Sequence, residues 1–231
     1  MNSFDASIIN FVNGFAQASK PFDSFIAQIV ENELVKGAAL VSVLWFFWFR
    51  KSSQLNFIRG RIIIGLIASL FAVIISRILT LLLPFRPRPF TNPDLHFVKP
   101  YYMQPEGLQT WSSFPSDHAI LFFGIATCIF LISKKAGVLA YLYTLLVICF
   151  PRVYFGYHYP TDILGGAVIG ITITAIASVN KISNPIVERV FKFSEKYTGL
   201  FYMFFFLLTY QIANGFINSI SLAHYLLHFF R

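Results

Sequence analysis

Apolar residues in this chain come in long unbroken runs separated by short polar connections, not in the one-sided stripes of soluble amphipathic helices. Runs at about 36 to 49, 62 to 83, 116 to 133, 137 to 151, 162 to 180 and 198 to 218 predict an all-α fold: a polytopic integral membrane protein built as a six-transmembrane-helix bundle. The first and fourth runs are short for a hydrocarbon core about 30 Å thick, so their helices are expected to extend beyond the apolar stretch. Residues 4 to 30 mix Phe and Ile with Asp, Asn, Lys and Gln, which predicts an interfacial helix or two. The chain therefore reads as one membrane domain: an N-terminal interfacial segment (1–35), a core (36–180), then a charged segment, the sixth run and a tail (181–231). The tail, ISLAHYLLHFFR, is too short to cross alone. The connection at Lys134 and Lys135 is so short that it makes the third and fourth helices antiparallel neighbours.

Composition narrows the class. Of 231 residues, 56% are apolar and 12% charged, against roughly 25% charged in an average soluble domain. The net charge of +8 sits mostly in connections, where topology and anionic lipid account for it, and no basic, aromatic-interleaved surface points to nucleic acid. Arg50, Lys51, Arg59, Arg61, Lys134, Lys135, Lys181, Arg189, Lys192 and Lys196 all fall on alternate connections, which the positive-inside rule assigns to the cytoplasm. Cys128 and Cys149 lie inside apolar runs without metal-ligand spacing and read as buried free thiols. The opening MNSFDASIINF lacks the basic region of a cleavable signal, so the first run is expected to stay in the mature protein.

The outward connections hold the unusual chemistry. RPRPF (86–90) follows the second run, FPSDH (114–118) opens the third, and RVYFGYHYPTD (152–162) joins the fourth to the fifth. Alternation of spans puts all three at one membrane face. Two arginines, two histidines, a serine and an aspartate there suggest a phosphate, because guanidinium forks match phosphate oxygens. Arg88 and Arg152 are the candidate clamps. Pro115 is expected at the first helical position of the third span, with the amides around Ser116 and Asp117 and the Ser116 hydroxyl holding an anion. His158 stands four residues before Asp162, a spacing at which the carboxylate can orient the imidazole as a nucleophile. His118 is then the proton donor to the leaving oxygen. Singly, these residues have plainer readings as snorkelling cations and helix caps; it is their joint spacing that points to a site.

Together, RPRPF, FPSDH and R-x5-H-x3-D resemble the three-part signature of the type-2 phosphatidic acid phosphatase family, which shares its site with the vanadium haloperoxidases. The resemblance implies a metal-independent, cofactor-free phosphatase in which His158 becomes a phosphohistidine, Asp162 supports it and His118 protonates the leaving group. Arg88, Ser116, the amide of Asp117 and Arg152 would bind phosphate. Asp117, RPRPF and HYPTDILGG are similar to bacterial undecaprenyl-diphosphatases of the bacitracin-resistance type. This implies undecaprenyl diphosphate as substrate at the outer face of a bacterial inner membrane.

The alternatives are phosphatidate, phosphatidylglycerophosphate or a lipid A phosphate as substrate, phosphoryl transfer to another lipid, or an inactive lipid-binding homologue. The family's first motif carries a lysine seven residues before its arginine, where this chain has Leu81; Arg77 or Arg86 is expected to supply that cation. Pro151 stands where the family has a serine, and Asp117 beside an anion needs a partner, Arg86, or must face away. His96 reads as solvated. His224 and His228 lack a third metal ligand and read as part of an interfacial tail.

Overall fold

The computed structural model describes residues 2–105 and 107–216; the tail with His224 and His228, and the end of the sixth apolar run, lie outside them. Among the described residues the regular elements are all helical. They are α1 (Ser3–Asn13), α2 (Lys20–Glu31), α3 (Leu34–Phe49), α4 (Leu55–Leu82), α5 (Asp117–Ile132), α6 (Lys134–Tyr154), α7 (Pro160–Ala177), α8 (Asn180–Lys196) and α9 (Thr198–Ala213). By length and composition α4, α6 and α7 are able to cross a membrane, and α3, α5 and α9 are shorter apolar helices. The outer surface is apolar too, with Phe46, Phe71, Ile74, Leu139, Val168 and Phe204 turned outward, as a lipid solvent requires.

α5 is the hub, packed against α4, α6 and α7. Its Ala119, Ile120, Ile125, Ala126 and Ile129 are completely buried. Small residues set how close the neighbours come. A Cβ on Gly170 of α7 would lie 2.2 Å from the Ile120 carbonyl oxygen, and one on Gly166 would lie 2.7 Å from that of Ser116. This contact brings the start of α5 against the start of α7, and so the second and third motifs together.

Two wide turns interrupt the regular ladder. In α3 the Ala39 amide reaches the Leu34 carbonyl, and in α6 the Phe150 amide reaches the Leu145 carbonyl, each one residue further back than an α-helical bond. The second precedes Pro151, which has no N–H to give the helix. As expected, α3 and α6 extend past their apolar runs.

Two expectations change, and a segment left without a prediction proves helical. α4 begins at Leu55, not near 62, because the cations that made this stretch read as a loop find acceptors: Arg59 Nε donates to the Trp48 carbonyl (3.1 Å), and Arg61 donates to the Ser178 carbonyl and to Asn180 (3.0 Å). The charged segment after the fifth run is a helix, α8, whose Val190 and Phe191 pack on the core and whose Val187 sits over Gly60 of α4. Pro115 is not the first helical residue of α5; Ser116 is the N-cap and Asp117 the first helical position. Pro160 does start α7.

Candidate active site

Main-chain bonds stitch the three motif segments into one wall. Ser113 N donates to the Arg86 carbonyl (2.9 Å), Ser116 N to the Asp162 carbonyl (3.3 Å) and Phe90 N to the Gly156 carbonyl (3.2 Å). A cavity of about 790 Å³ opens at this end of the bundle. Arg77, Arg88, Asp117, His118, Arg152 and His158 all line it, whereas Arg86, Ser116 and Asp162 do not.

His158 is buried, and its Nδ1 lies 2.8 Å from the Ser113 carbonyl oxygen. A carbonyl only accepts, so Nδ1 carries a proton, and in the neutral ring Nε2 then keeps the lone pair. Nε2 faces Arg88, with Nη1 at 3.5 Å. Asp162 is 3.7 Å from Nδ1, beyond hydrogen-bond reach. The carboxylate expected to orient the ring thus stands within ion-pair distance of it without a hydrogen bond. Its oxygens accept from the Tyr159 amide (2.7 Å) and from Arg86, contacts that shape the turn carrying His158.

The clamps are held by carbonyls. Arg88 donates from Nε to Leu108 O (2.9 Å) and from Nη1 to Tyr157 O (2.7 Å). Arg152 donates from Nη1 to Ile148 O (2.7 Å), inside the wide turn of α6. Both are buried, and Nη2 of each has no partner among the described residues. Pro151 lies just past the wide turn, at the start of the last helical turn of α6, which carries Arg152.

Ser116 is fully buried, and its hydroxyl accepts from the Ala119 amide (3.4 Å), so it caps α5 behind the cavity wall instead of facing an anion. Asp117 fills the anion position at the helix start itself: Oδ1 accepts from its neighbour's amide at His118 (3.0 Å), and Oδ2 pairs with Arg77 at 2.8 Å. Its cationic partner is therefore Arg77, not Arg86. His118 Nδ1 lies 3.2 Å from the same carboxylate, and the residue lines the cavity together with His158.

Arg86 has other work. It pairs with Asp162 and, at 2.7 Å, with Asp5 of α1, while its guanidinium lies 4.1 Å from the centre of the Tyr159 ring. Asp5 also accepts from the Thr161 amide (2.9 Å) and hydroxyl (2.6 Å). Asp5 and Ser113 were not singled out by sequence. Asp5 is the single acid of α1, and Ser113 contributes only its carbonyl, which no side-chain pattern reveals. Burial alone would raise the Asp5 carboxyl, but the Thr161 bonds and Arg86 hold it below its ordinary value of 3.8. Its clasp is therefore fully present at neutral pH and lost only as pH falls through the still lower folded value. Asp5→Ala should cost about 1–3 kcal/mol at pH 7, seen as a lower unfolding temperature in detergent, because Arg86 and the Thr161 amide lose a buried acceptor. An unchanged unfolding temperature would rule out the clasp.

Comparison with known proteins comes to the same region. Residues 63–182 match the family model described as PAP2 superfamily. The chain is 28% identical over 166 residues to undecaprenyl-diphosphatase BcrC of Bacillus subtilis (strain 168), spanning 72% of this chain and 78% of that protein. It is 29% identical over 198 residues to lipid A 1-diphosphate synthase of Escherichia coli (strain K12), spanning 83% and 81%. A crystal structure of Aquifex aeolicus LpxE superposes with a TM-score of 0.50 at 23% identity, over 74% of this chain and 92% of that one, a likeness of fold.

Proposed function

The chain belongs to the PAP2 superfamily, and from that premise we propose that it is a six-span lipid phosphatase of a bacterial inner membrane. It would hydrolyse undecaprenyl diphosphate to undecaprenyl phosphate and phosphate at the extracytoplasmic face, within a single membrane domain. The observation that carries this reading is the Nδ1 bond of His158 to the Ser113 carbonyl, which leaves Nε2 unprotonated beside Arg88 in the cavity. The similarity to the Bacillus subtilis undecaprenyl-diphosphatase supports the substrate.

His158 Nε2 attacks the terminal phosphorus, forming a P–N bond as the bond to the bridging oxygen breaks. Arg88 and Arg152 neutralise the charge spreading over the equatorial oxygens. His118 gives its proton to the departing lipid phosphate. It then takes a proton from water, whose oxygen attacks the phosphohistidine, releasing phosphate and restoring neutral His158. Asp117, paired with Arg77, holds His118 by Nδ1 and leaves Nε2 for the transfer.

A second reading has its own support. The similarity to lipid A 1-diphosphate synthase favours a lipid hydroxyl or phosphate as acceptor in place of water in the second step. Both are tested by giving the purified protein undecaprenyl diphosphate, undecaprenyl phosphate, phosphatidate and phosphatidylglycerophosphate, with and without a chelator, and with or without an acceptor lipid. The expected result is phosphate release fastest from undecaprenyl diphosphate and unchanged by chelator. Preference for phosphatidate would overturn the substrate assignment, and label passing into the acceptor lipid would favour transfer.

A further inference from the structure

Lys36, in the wide turn at the start of α3, is only 5% exposed and lines the same cavity as Arg88, His118, Arg152 and His158. Its ammonium makes no hydrogen bond or ion pair among the described residues, although Glu31 and Glu33 line the cavity as well. Lys36 is buried as a residue while its side chain belongs to the cavity wall, and in a site with little water its charge attracts an anionic ligand more strongly than it would in bulk solvent.

Packing fixes Lys36 where it is. At the next residue, Gly37, a Cβ would lie 2.2 Å from the Ala213 carbonyl oxygen, so α3 is pressed onto α9 with no room to turn. On the other side, the Tyr143 hydroxyl of α6 donates to the Val35 carbonyl. The cations that sequence nominated beside the clamps are both engaged: Arg77 with Asp117, and Arg86 with Asp5 and Asp162, off the cavity wall. That leaves Arg88 and Arg152 beside the histidines, with Lys36 as a third cation on the cavity wall that pairs with no carboxylate among the described residues. Two guanidinium groups are enough for one transferred phosphoryl group. At about 790 Å³ the cavity has room for much more than that group.

We propose that Lys36 binds the phosphate that stays on the lipid, so that it is the residue by which this site prefers a diphosphate to a monophosphate. The inference rests on the phosphatase reading above. A flexible point charge suits this role, since the retained phosphate must be gripped and then let go, whereas the transferred group needs the fixed forks of arginine.

The test compares wild type, Lys36→Met and Lys36→Arg on undecaprenyl diphosphate and undecaprenyl phosphate, with orthovanadate inhibition as a separate gauge of the transferred-phosphoryl site. Methionine keeps the unbranched length without the charge, and arginine keeps the charge. Lys36→Met should raise KM for the diphosphate by about 10- to 100-fold, and leave both the monophosphate kcat/KM and the vanadate inhibition constant within about threefold of wild type. Lys36→Arg should retain most of the preference. Equal losses on both substrates with weaker vanadate inhibition, or no change on either, would overturn the inference while leaving the phosphatase reading intact. A wild-type protein that releases phosphate from neither lipid would remove that reading and the inference with it.

Discussion

His158→Ala is expected to reduce phosphate release by about 10⁴-fold or more, the largest effect of any single substitution in this chain. The ring is the group whose lone pair the fold exposes to the cavity with the tautomer already set, since its other nitrogen is committed to the Ser113 carbonyl at 2.8 Å. Without it, water would have to attack the lipid phosphate directly, with Arg88 and Arg152 still in place, so residual catalysis by charge stabilisation alone survives. Acid-sensitive, base-stable phosphoenzyme should be trapped from wild type by rapid quench and be missing from the variant. A variant that keeps a tenth or more of the wild-type rate, or still forms that phosphoenzyme, would exclude His158 as nucleophile.

His118→Gln should have the second largest effect, and one that depends on the leaving group. General acid catalysis contributes about 10²–10⁴-fold. A lipid monoester expels an alkoxide whose conjugate acid is nearly as weak as water, with a pKa close to 16. A diphosphate expels a phosphate whose second pKa is about 6. The proton from His118 therefore matters much more for the first than for the second. On undecaprenyl phosphate the variant should lose about 10³-fold, limited by bond cleavage. On undecaprenyl diphosphate the first step should be largely spared while water attack, which needs His118 as base, slows. The phosphohistidine should then accumulate, with a burst of undecaprenyl phosphate equal to the enzyme concentration. Equal losses on the two substrates and no burst would show that His118 does not move a proton to the leaving oxygen.

Much of this was legible in advance because it depends on spacing within short segments. Arg88 and Arg152, His118 and His158 were nominated from RPRPF, FPSDH and RVYFGYHYPTD, and all four line one cavity. Their order along an alternating set of apolar runs places them at one end of a bundle whatever the packing details. Partner choice was another matter. Asp117 pairs with Arg77 instead of Arg86, and the imidazole bond of His158 goes to a main-chain oxygen 45 residues earlier in the chain. Ser116 turns its hydroxyl to the Ala119 amide. Each of these is a competition between nearby acceptors and donors, decided by differences of an ångström or two that spacing along a strand of sequence does not encode.

The sequence by itself determined the all-helical build, the sites of the motif loops and four of the side chains that meet at the cavity, because hydrophobic run length and local spacing are properties of a linear chain. Only the tertiary structure decided which charges remain free. It committed Arg86 to Asp5 and Asp162, committed Arg77 to Asp117, and brought Lys36, from a helix outside the three motifs, to the cavity wall. The reason is electrostatic: each carboxylate draws in the nearest cation, and which cation is nearest depends on how α1, α3, α4 and α5 pack.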